Sequence, residues 1–477
     1  MSKKILSLFL TMVLIVIVFP FSASADTSYS SAAYKTVYDG IKGYQSAIDI
    51  SSYKMNGDQL ASLMQDIKNN EPMFYYLGKS YSYSASISSG KITALKPKYS
   101  YTEQEIPTMN SFINSELDSI LKTLPNGLDE YEKALYLHDY ICVNFEYDLK
   151  GTGYHDIYNM LLYKRGVCQA YTLLYDELLL RVGIKTSAVS SDSINHIWNQ
   201  VYLGGKWYHV DVTWDDPVND AFARAEHEFF LQSDYASSVS HEANDFVKYY
   251  TSDDTSLDNL SWHSNEISFA FASGITFFVD NGVIKSVDIP TGKTVDRYKI
   301  DTVWYTASNQ FYQDLNFSGL GSYDECLIFN TDKEIKYYDP LTGETGSAAS
   351  LVLGNDNIYR MLVRGNKVYY MHSVRYSLNG TIDESILTFA PYDDTNGGTD
   401  NDNNGTNNGT GVYRLGDVNL DGTVDANDYI LLKRAYFGLQ VLSQEAIAVS
   451  DIDSNNVIDA SDYILLKRAY FGTYTIN

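Results

Sequence analysis

The chain has 477 residues, of which 44% are hydrophobic, and a formal net charge of −25. A single hydrophobic core rarely grows beyond about 250–300 residues, so this length predicts several domains. The excess of acidic residues repels phosphate and argues against nucleic acid as a partner. Three cysteines cannot all pair with one another, which excludes a scaffold held together by disulfides.

Residues 1–25 have the pattern of a secretory signal peptide. Lys3 and Lys4 precede an apolar run over 5–21, and small residues lead to Ala25. The run is short for a membrane span, and we find no other stretch long and apolar enough to be one. Cleavage after Ala25 would release a secreted protein with no membrane partner; a retained membrane anchor is the alternative.

Residues 26–130 are predicted to form an α/β region that flanks the next domain. An alternating, tyrosine-rich segment over 75–95 predicts a β-hairpin that turns near Ser89-Gly90. We expect this hairpin either to line a cleft of the next domain or to serve in packing alone. Helical patterns occupy residues 30–44, 57–69 and 106–121.

Residues 131–250 carry a cysteine in a distinctive setting. Cys168, in the motif GVCQAY, comes just before an apolar pattern of helical spacing over 169–182. A thiol at a helix N-terminus meets unpaired N–H groups and the helix dipole, which favour thiolate. Cys142 and Cys326 lie in apolar stretches and are expected to be buried thiols. A disulfide between Cys142 and Cys168 is the alternative, and it would abolish thiol chemistry.

The segment HIWNQVYLGGKWYHVDVTWDDP, residues 196–217, predicts two strands joined by a two-residue turn at Gly204-Gly205. Counting outward from the turn, Trp198 opposes Asp211, so His196 and Asp211 become diagonal neighbours on one face. Diagonal positions lie roughly 7–8 Å apart at the backbone, a gap that imidazole and carboxylate can close with a hydrogen bond. The domain therefore offers a thiol, an imidazole and an orienting carboxylate.

Other residues compete for these roles. His209 lies on the same predicted face as Asp211 and is a second candidate for the base. His138 lies on the apolar side of a helix predicted over 131–145. A lone histidine in such a place is more often a core residue than a catalytic one. Asp215-Asp216-Pro217 can equally be a turn that ends the strand. The spacing of histidines and cysteines is not typical of zinc, since HExxH and Cys-x-x-Cys are absent.

The motifs GVCQAY, HIWNQVYLGGKW and VDVTWDDP, in this order, closely resemble the transglutaminase-like superfamily of papain-type cysteine enzymes over about residues 131–246. The resemblance implies an α+β papain-like core with a catalytic triad of Cys168, His196 and Asp211 and no cofactor in that core. It alone favours His196 over His209 as the base. It implies acyl chemistry on protein or peptide amide bonds, as a cysteine peptidase or amidase or as a cross-linking transglutaminase, with hydrolysis preferred.

Residues 260–392 change to short β-type runs separated by turns with Gly and Pro, which predicts an all-β, tyrosine-rich domain. IKSVDIPTGKT and IKYYDPLTGET repeat a pattern about 50 residues apart, a spacing seen in propeller-like blades. A propeller-like arrangement, a sandwich and an irregular meander all stay open. The following residues, 393–411, are almost entirely Asn, Gly, Asp and Thr and predict a flexible linker.

Residues 412–477 repeat themselves. NDYILLKRAYFG at 427–438 returns as SDYILLKRAYFG at 461–472, and each copy follows an acidic twelve-residue loop. Oxygen donors at loop positions 1, 3, 5, 7 (through the backbone), 9 and 12 suit calcium. The predicted calcium ligands are Asp417, Asn419, Asp421, Thr423, Asp425 and Asp428 in the first loop, and Asp451, Asp453, Asn455, Val457, Asp459 and Asp462 in the second.

Both loops depart from the EF-hand pattern. Position 12 is Asp in each, where EF-hands have a bidentate Glu, and Asn456 replaces the position-6 glycine of the second loop. Asn tolerates the left-handed conformation better than most residues, so this turn stays feasible.

The repeat resembles a type I dockerin over essentially all of 412–477. The resemblance implies a small all-α domain, two calcium ions on which folding depends, and docking onto a cohesin module of a cellulosomal scaffoldin. The protein would then be secreted, extracellular and cellulosome-bound. In that family, loop positions 10 and 11 and the following helix face contact cohesin, in either of two orientations. These positions and the nearby basic residues are Ala426, Asn427, Ala460, Ser461, Lys433, Arg434, Lys467 and Arg468.

Two hypotheses from other functional classes stay open from the sequence. The chain could be a non-catalytic cellulosomal subunit whose core and β domain bind or act as spacers, although an intact triad argues against this. Polysaccharide hydrolysis would need a carboxylate pair that the spacing does not locate.

Overall fold

A computed structural model describes residues 29–151, 153–216, 218, 222–302, 304, 317–340, 342–377, 379–389, 414–436, 441–455, 457–458, 460–470 and 474–476. The predicted signal peptide and the predicted linker lie outside the described residues. The chain forms two compact units. Among the described residues, the smaller one contains residues 29–65 together with Tyr81–Pro97, and the larger one contains Asp66–Ser80 and those from Lys98 onward.

The N-terminal elements follow the sequence pattern closely. They are α1 (Ser31–Lys42), β1 (Ile48–Asp49), α2 (Gly57–Asn70), β2 (Leu77–Ala85) and β3 (Ile92–Tyr99). The three strands form one sheet of order β1-β3-β2. Gly90 lies in the turn between β2 and β3 with φ +67°, a conformation that favours glycine, so the predicted hairpin is confirmed.

The α-helical part of the core begins with two long helices and ends with a buried one. In chain order the elements are α3 (Ile106–Leu121), α4 (Glu130–Asn144), β4 (Glu146–Tyr147), α5 (Ile157–Tyr163), β5 (Arg165–Gly166) and α6 (Cys168–Arg181). A capping box starts α4, because the Asp129 side chain accepts from the Glu132 N–H and the Glu132 side chain accepts from the Asp129 N–H. Helix α6 is buried along most of its length, which is typical of a central helix.

A four-stranded antiparallel sheet packs against α6. Its strands are β6 (Lys185–Ser191), β7 (His196–Leu203), β8 (Lys206–Val210) and β9 (Phe230–Gln232), in the order β6-β7-β8-β9, and α7 (Asp234–Ser240) follows. Nearly every residue of β7 is buried, since this strand is covered on both faces. The Thr172 hydroxyl of α6 donates to the Ile197 carbonyl at 3.1 Å and fixes the helix against the strand.

The described residues of the middle region form three antiparallel sheets in succession. They contain β10 (Ala270–Ala272), β11 (Ile275–Asp280), β12 (Val283–Asp288) and β13 (Lys293–Lys299); β14 (Leu320–Tyr323), β15 (Cys326–Asn330), β16 (Ile335–Tyr338) and β17 (Thr345–Ala349); and β18 (Asn357–Arg364), β19 (Lys367–Ser373) and β20 (Thr381–Ile386). Each sheet runs up and down in chain order, and β14 contacts both β10 and β18.

The sequence repeat of this region has a structural counterpart. The segment IKSVDIPTGKT forms β12 and the start of β13, and IKYYDPLTGET forms β16 and the start of β17. Both strand pairs have a register shift at the same point of the motif, between Ile284 and Lys285 and between Ile335 and Lys336. The repeat therefore encodes the outer strand pair of each sheet, including its bulge.

The C-terminal region is helical. Its helices are α8 (Ala426–Tyr436), α9 (Gln444–Ala448) and α10 (Ala460–Tyr470), and α8 and α10 pack against each other. Within the part of the chain that the structure describes, no helix is long and apolar enough to cross a membrane.

Candidate active site

Cys168 is the first residue of α6, as the sequence predicts. Val167 precedes it in an extended conformation, and the Val167 carbonyl accepts the N–H groups of Ala170 at 2.8 Å and Tyr171 at 3.2 Å. Gly166 allows the tight approach, because a Cβ on it would lie 2.7 Å from that of Ala170. These contacts hold the thiol at the start of the helix.

All three cysteines are free thiols, so no disulfide joins Cys142 to Cys168. Cys142 and Cys326 are buried, as expected, whereas Cys168 is partly exposed. Burial raises the pKa of Cys142 well above its usual value and raises the pKa of Cys326 to about 12. Among the three, Cys168 is the thiol with access to solvent.

The hairpin places His196 beside Asp211. Gly204 and Gly205 have φ of +57° and +83°, and Tyr202 pairs with Trp207, so the predicted turn and register are confirmed. The expectation that the strand continues through Asp211 is wrong. Strand β8 ends at Val210, and Asp211 starts a turn in which its Oδ1 accepts the backbone N–H of Thr213 at 3.0 Å. His196 Nε2 nevertheless lies 2.6 Å from Asp211 Oδ2.

The charges of these residues reinforce one another. Burial disfavours the imidazolium form, but Asp211 and the Cys168 side chain outweigh it and raise the pKa of His196 to about 10. Burial would also raise the pKa of Asp211, yet His196 and His241 lower it well below its usual range. Because His196 Nε2 faces Asp211, Nδ1 is the ring nitrogen left for Cys168.

His209, the rival base, has other partners. Its Nε2 lies 2.8 Å from Asp234 Oδ1, and its Nδ1 accepts the indole N–H of Trp198 at 3.0 Å. Burial lowers the pKa of His209 more than Asp234 raises it. The structure therefore places His209 in a separate pair on the same sheet, away from Asp211.

His241 is a site residue that sequence reasoning did not identify. Its Nε2 lies 3.0 Å from Asp211 Oδ2, the oxygen that also contacts His196, and its Nδ1 lies 2.9 Å from the Ser237 carbonyl. It follows α7, 30 residues beyond Asp211 in the chain. No local spacing signals such a contact, although a buried carboxylate is expected to collect several donors.

Two tryptophans enclose the histidine pair. Trp214 stacks on His196 with ring centroids 5.1 Å apart and on His241 at 4.4 Å. Trp198 stacks on the same two rings at 5.5 Å and 4.5 Å. The aromatic enclosure fixes both imidazole planes and limits water around Asp211.

A second buried network lies nearby. His138 contacts Asp139 at 2.9 Å and Asp215 at 3.1 Å, and His227 contacts Asp139 at 2.8 Å. Burial opposes charge on His138, but Asp139 and Asp215 raise its pKa to about 9. Asp139 also accepts the Phe269 N–H at 2.7 Å, so the network ties α4 to the start of the β region. His138 is thus a buried core residue paired with two aspartates, as is more common for a histidine on the apolar side of a helix.

A cleft of about 520 Å³ opens at His196. Asp216, beyond the predicted strand end, also accepts the hydroxyl of the buried Tyr171. An ion pair between Arg224 and Glu226, at 2.6 Å, gives the cleft both signs of charge. The lining residues are Tyr147, His196, Thr213, Trp214, Asp216, Val218, Arg224 and Glu226.

The first acidic loop, residues 417–428, forms a compact turn that leads into α8. Gly422, at loop position 6, has φ +93°, and the Asp428 carboxylate accepts the N–H groups of Asn419 at 2.9 Å and Asp425 at 2.8 Å. Asp417 Oδ1 is buried without a hydrogen-bond partner among the described residues. A cation would satisfy this oxygen, so the loop fits calcium.

The second acidic loop precedes α10. Asp451, Asp453 and Asp462 bring carboxylate oxygens within 4.8 Å of one another. Asp462 Oδ1 accepts the Ile452 N–H at 2.6 Å, much as Asp428 accepts backbone N–H groups in the first loop. Asn456 and Asp459 lie outside the described residues, and so do the side chains of Ala426, Arg434, Ala460 and Ser461.

Two segments of the chain match protein-family models. Residues 120–212 match the transglutaminase-like superfamily, and residues 415–469 match the dockerin type I domain. The chain therefore contains a transglutaminase-like core and a type I dockerin domain, and both resemblances read from the sequence are confirmed. Cys168, His196 and Asp211 fall inside the first matched segment.

Curated relatives include the kyphoscoliosis peptidases of mouse and human. The Mus musculus protein is 24% identical over 147 residues, which cover 26% of this chain and 22% of the relative. The Homo sapiens protein is 24% identical over 141 residues, covering 24% and 21%. The chain thus spans about a fifth of the length of these relatives.

Solved structures align with part of the chain. A TGase aligns at 12% identity over 34% of this chain and 48% of its own, with a TM-score of 0.20. A Cytophaga hutchinsonii protein designated a cysteine protease aligns at 14% identity over 28% of this chain and 61% of its own, with a TM-score of 0.18.

Proposed function

We propose that the protein is a secreted, scaffold-bound cysteine enzyme that acts on amide bonds of proteins or peptides through Cys168, His196 and Asp211. The observation that carries this proposal is a set of three groups: a partly exposed thiol at a helix N-terminus, an imidazole whose pKa is raised by Asp211 and by that thiol, and a buried carboxylate 2.6 Å from the imidazole. This is the combination that nucleophilic acyl transfer requires.

In the proposed mechanism, the Cys168 sulfur attacks the carbonyl carbon of the amide as thiolate. His196 holds the thiol proton and delivers it to the leaving amine, and an acyl-enzyme remains on Cys168. Asp211 keeps the imidazole in the useful orientation and stabilises its positive charge. The backbone N–H of Cys168, at the start of α6, is our proposed donor to the developing oxyanion.

The final acyl acceptor is proposed to be water. Water attacks the acyl-enzyme with His196 as general base, which regenerates the thiol and releases an acid. The peptidase names of the mouse and human relatives support hydrolysis over cross-linking. Trp214, about one-third exposed and stacked on His196, is positioned to contact the substrate chain in the cleft.

A lysine-free peptide that contains glutamine distinguishes the two acceptors. We expect backbone cleavage, detected by mass spectrometry, that disappears in Cys168→Ala. Release of ammonia together with incorporation of a primary amine would instead identify a cross-linking transglutaminase. No turnover in wild type and equal iodoacetamide reactivity of Cys168 and a free thiol would contradict an enzymatic role.

We propose that the C-terminal domain holds two calcium ions and binds a cohesin module of an extracellular cellulosomal scaffoldin. The first ion would be held by Asp417, Asn419, Asp421, Asp425, Asp428 and the Thr423 carbonyl, and the second by Asp451, Asp453, Asn455, Asp459, Asp462 and the Val457 carbonyl. When bound, calcium neutralises the carboxylates that crowd each loop. The orphaned buried oxygen of Asp417 supports this assignment.

Cohesin binding in calcium and in chelator tests the attachment. We expect the full chain to bind a cognate cohesin in calcium and to lose binding in EGTA. Equal binding under both conditions would contradict the calcium assignment, and failure to bind any cohesin would contradict the attachment itself.

A further inference from the structure

The dockerin domain is seated on the rest of the larger unit. The Tyr429 hydroxyl of α8 donates to the Gly274 carbonyl, and Arg297 donates to the Tyr470 hydroxyl of α10. Leu432 and Leu466 share one buried apolar cluster with residues of the first two sheets of the β region. The helical face of the repeat is therefore covered by the same chain.

A buried ion pair lies at this contact. Lys467 Nζ is 2.5 Å from Glu132 Oε1 and 3.6 Å from Asp129 Oδ2. The side chains of Lys467 and Glu132 are only 7% and 3% exposed. Glu132 Oε1 also accepts the Thr276 hydroxyl at 2.8 Å. Lysine is rarely buried without a partner. If the two domains separated, both charges would have to be hydrated again or would need new partners.

The sequence repeat places a second lysine at the same contact. Lys433 occupies the position in the first repeat that Lys467 occupies in the second, and it too is buried. A Cβ on Gly274 would lie 2.3 Å from Lys433 Nζ, so this glycine makes room for the lysine. Burial lowers the pKa of Lys433, whereas Glu132 and Asp129 overcome burial and raise the pKa of Lys467 well above its usual value. The two equivalent lysines are thus both buried at this contact, Lys467 against Glu132 and Lys433 against Gly274.

We propose that Asp129, Glu132 and the Gly274 turn form an internal docking site for the dockerin domain of the same chain. The site takes the face of the repeat that carries Lys433 and Lys467. The following consequence rests on the proposed function: if cohesin uses this face, internal docking and cohesin binding exclude each other. The protein then alternates between a closed form and a scaffold-bound form.

The test uses the full chain with a protease site placed within residues 393–411 and cut after folding in calcium. We expect the C-terminal fragment to co-elute with the remainder in size-exclusion chromatography. Lys467→Ala should weaken this association by about tenfold or more, because Glu132 then keeps a buried charge without its partner. Glu445→Ala, an exposed position of α9, is the control and should leave association unchanged.

A variant outside the dockerin domain tests the contact without changing the sequence of the dockerin domain itself. In Gly274→Ala the added Cβ would meet Lys433 Nζ and the Tyr429 hydroxyl, so association should fall in this variant as well. Gly354→Ala is its control, because Gly354 also has a positive φ but no atom near its Cβ position. The internal site would be overturned if the wild-type fragments separated at every concentration. It would also be overturned if the Lys467→Ala and Gly274→Ala fragments associated as tightly as wild type.

Cohesin binding then tests the competition. A cohesin that binds the released fragment should bind the uncut wild-type chain more weakly and the uncut Gly274→Ala chain about as tightly as the fragment. Equal affinity for all three forms would overturn the competition. If no cohesin binds any form, the proposed attachment fails, whereas co-elution still decides the internal docking site.

Discussion

At the scale of single residues, Asp211 is the hydrogen-bonding centre of the candidate site. Among the described residues, Oδ2 contacts His196 and His241, and Oδ1 accepts the N–H groups of Thr213 and Trp214. These donors keep the carboxylate ionised despite its burial, which is why its pKa falls well below the usual range. The negative charge in turn holds the proton on His196.

Asp211→Asn should shift the pH dependence of activity. The carboxylate raises the pKa of His196 to about 10, so its removal lowers that pKa toward the ordinary value near 6.5. Imidazolium is then lost at lower pH, and we expect the alkaline limb of kcat/KM to move down by about one unit or more. Asp234→Asn, which changes the His209 pair on the same sheet, should leave the limb in place. An unmoved limb in Asp211→Asn would argue that another group sets the charge of His196.

His241→Ala should lower kcat about tenfold with little change in KM, because Asp211 loses one of its donors and the aromatic enclosure loses one ring. His241→Gln, which can still donate to Asp211, should recover part of the rate. His372→Ala serves as the control, since His372 is a buried histidine paired with Asp356 in the β region. A rate unchanged in His241→Ala would mean that the residue only fills space.

At the scale of elements, the β7-β8 hairpin sets the geometry of the site. The turn fixes the register, and the register places His196 where the chain after β8 can bring back Asp211. Gly204 is constrained twice. Its φ is +57°, and a Cβ there would lie 2.2 Å from the Tyr131 hydroxyl of the neighbouring helix α4. The hairpin is therefore held both by its turn chemistry and by tertiary packing.

Gly204→Ala should destabilise the protein by about 1–3 kcal/mol, because backbone strain adds to the displacement of Tyr131. Gly183→Ala is a matched control, since Gly183 has φ +83° but no atom within 4 Å of its Cβ position. We expect a cost of about 1 kcal/mol for this variant. Urea unfolding followed by tryptophan fluorescence measures both values. Equal losses would show that packing against Tyr131 adds nothing to the strain.

At the scale of the whole molecule, the chain joins a transglutaminase-like core to a dockerin domain that carries two acidic loops. The larger unit links them through Lys467 and Glu132, and Glu132 also caps α4. The Glu132 carboxylate thus both caps helix α4 of the core and pairs with Lys467 of the dockerin domain. The Tyr429–Gly274 and Arg297–Tyr470 hydrogen bonds join the same parts of the chain.

Removal of calcium should unfold the dockerin domain and leave the core transition in place, because the predicted ligands all belong to the two loops. Differential scanning calorimetry with and without EGTA measures this. Asp417→Ala should weaken calcium binding by about tenfold or more, since it removes a position-1 ligand. Glu445→Ala, an exposed acidic change on α9, should respond to calcium as wild type does. Identical thermograms with and without EGTA would contradict a structural role for calcium.

Much of the local structure follows from the sequence. Helix α3 spans Ile106–Leu121 and α2 spans Gly57–Asn70, at or within one residue of their apolar patterns, because each pattern buries one helix face. The Gly204-Gly205 turn determines the hairpin register, because few residues adopt positive φ at both turn positions. The prediction that strand β8 reaches Asp211 failed, because the Asp211 carboxylate binds N–H groups of the residues that follow it and so forms a turn.

The sequence by itself determined the thiol at the start of α6, the hairpin that carries His196, and the duplicated acidic loops, because each depends on short-range spacing and turn chemistry. Only the tertiary structure decided that His241 rather than His209 shares Asp211, and that Lys467 is buried against Glu132. These contacts join residues 30 and 335 positions apart in the chain. Long-range pairing of this kind depends on how packed elements meet, and no local pattern encodes it.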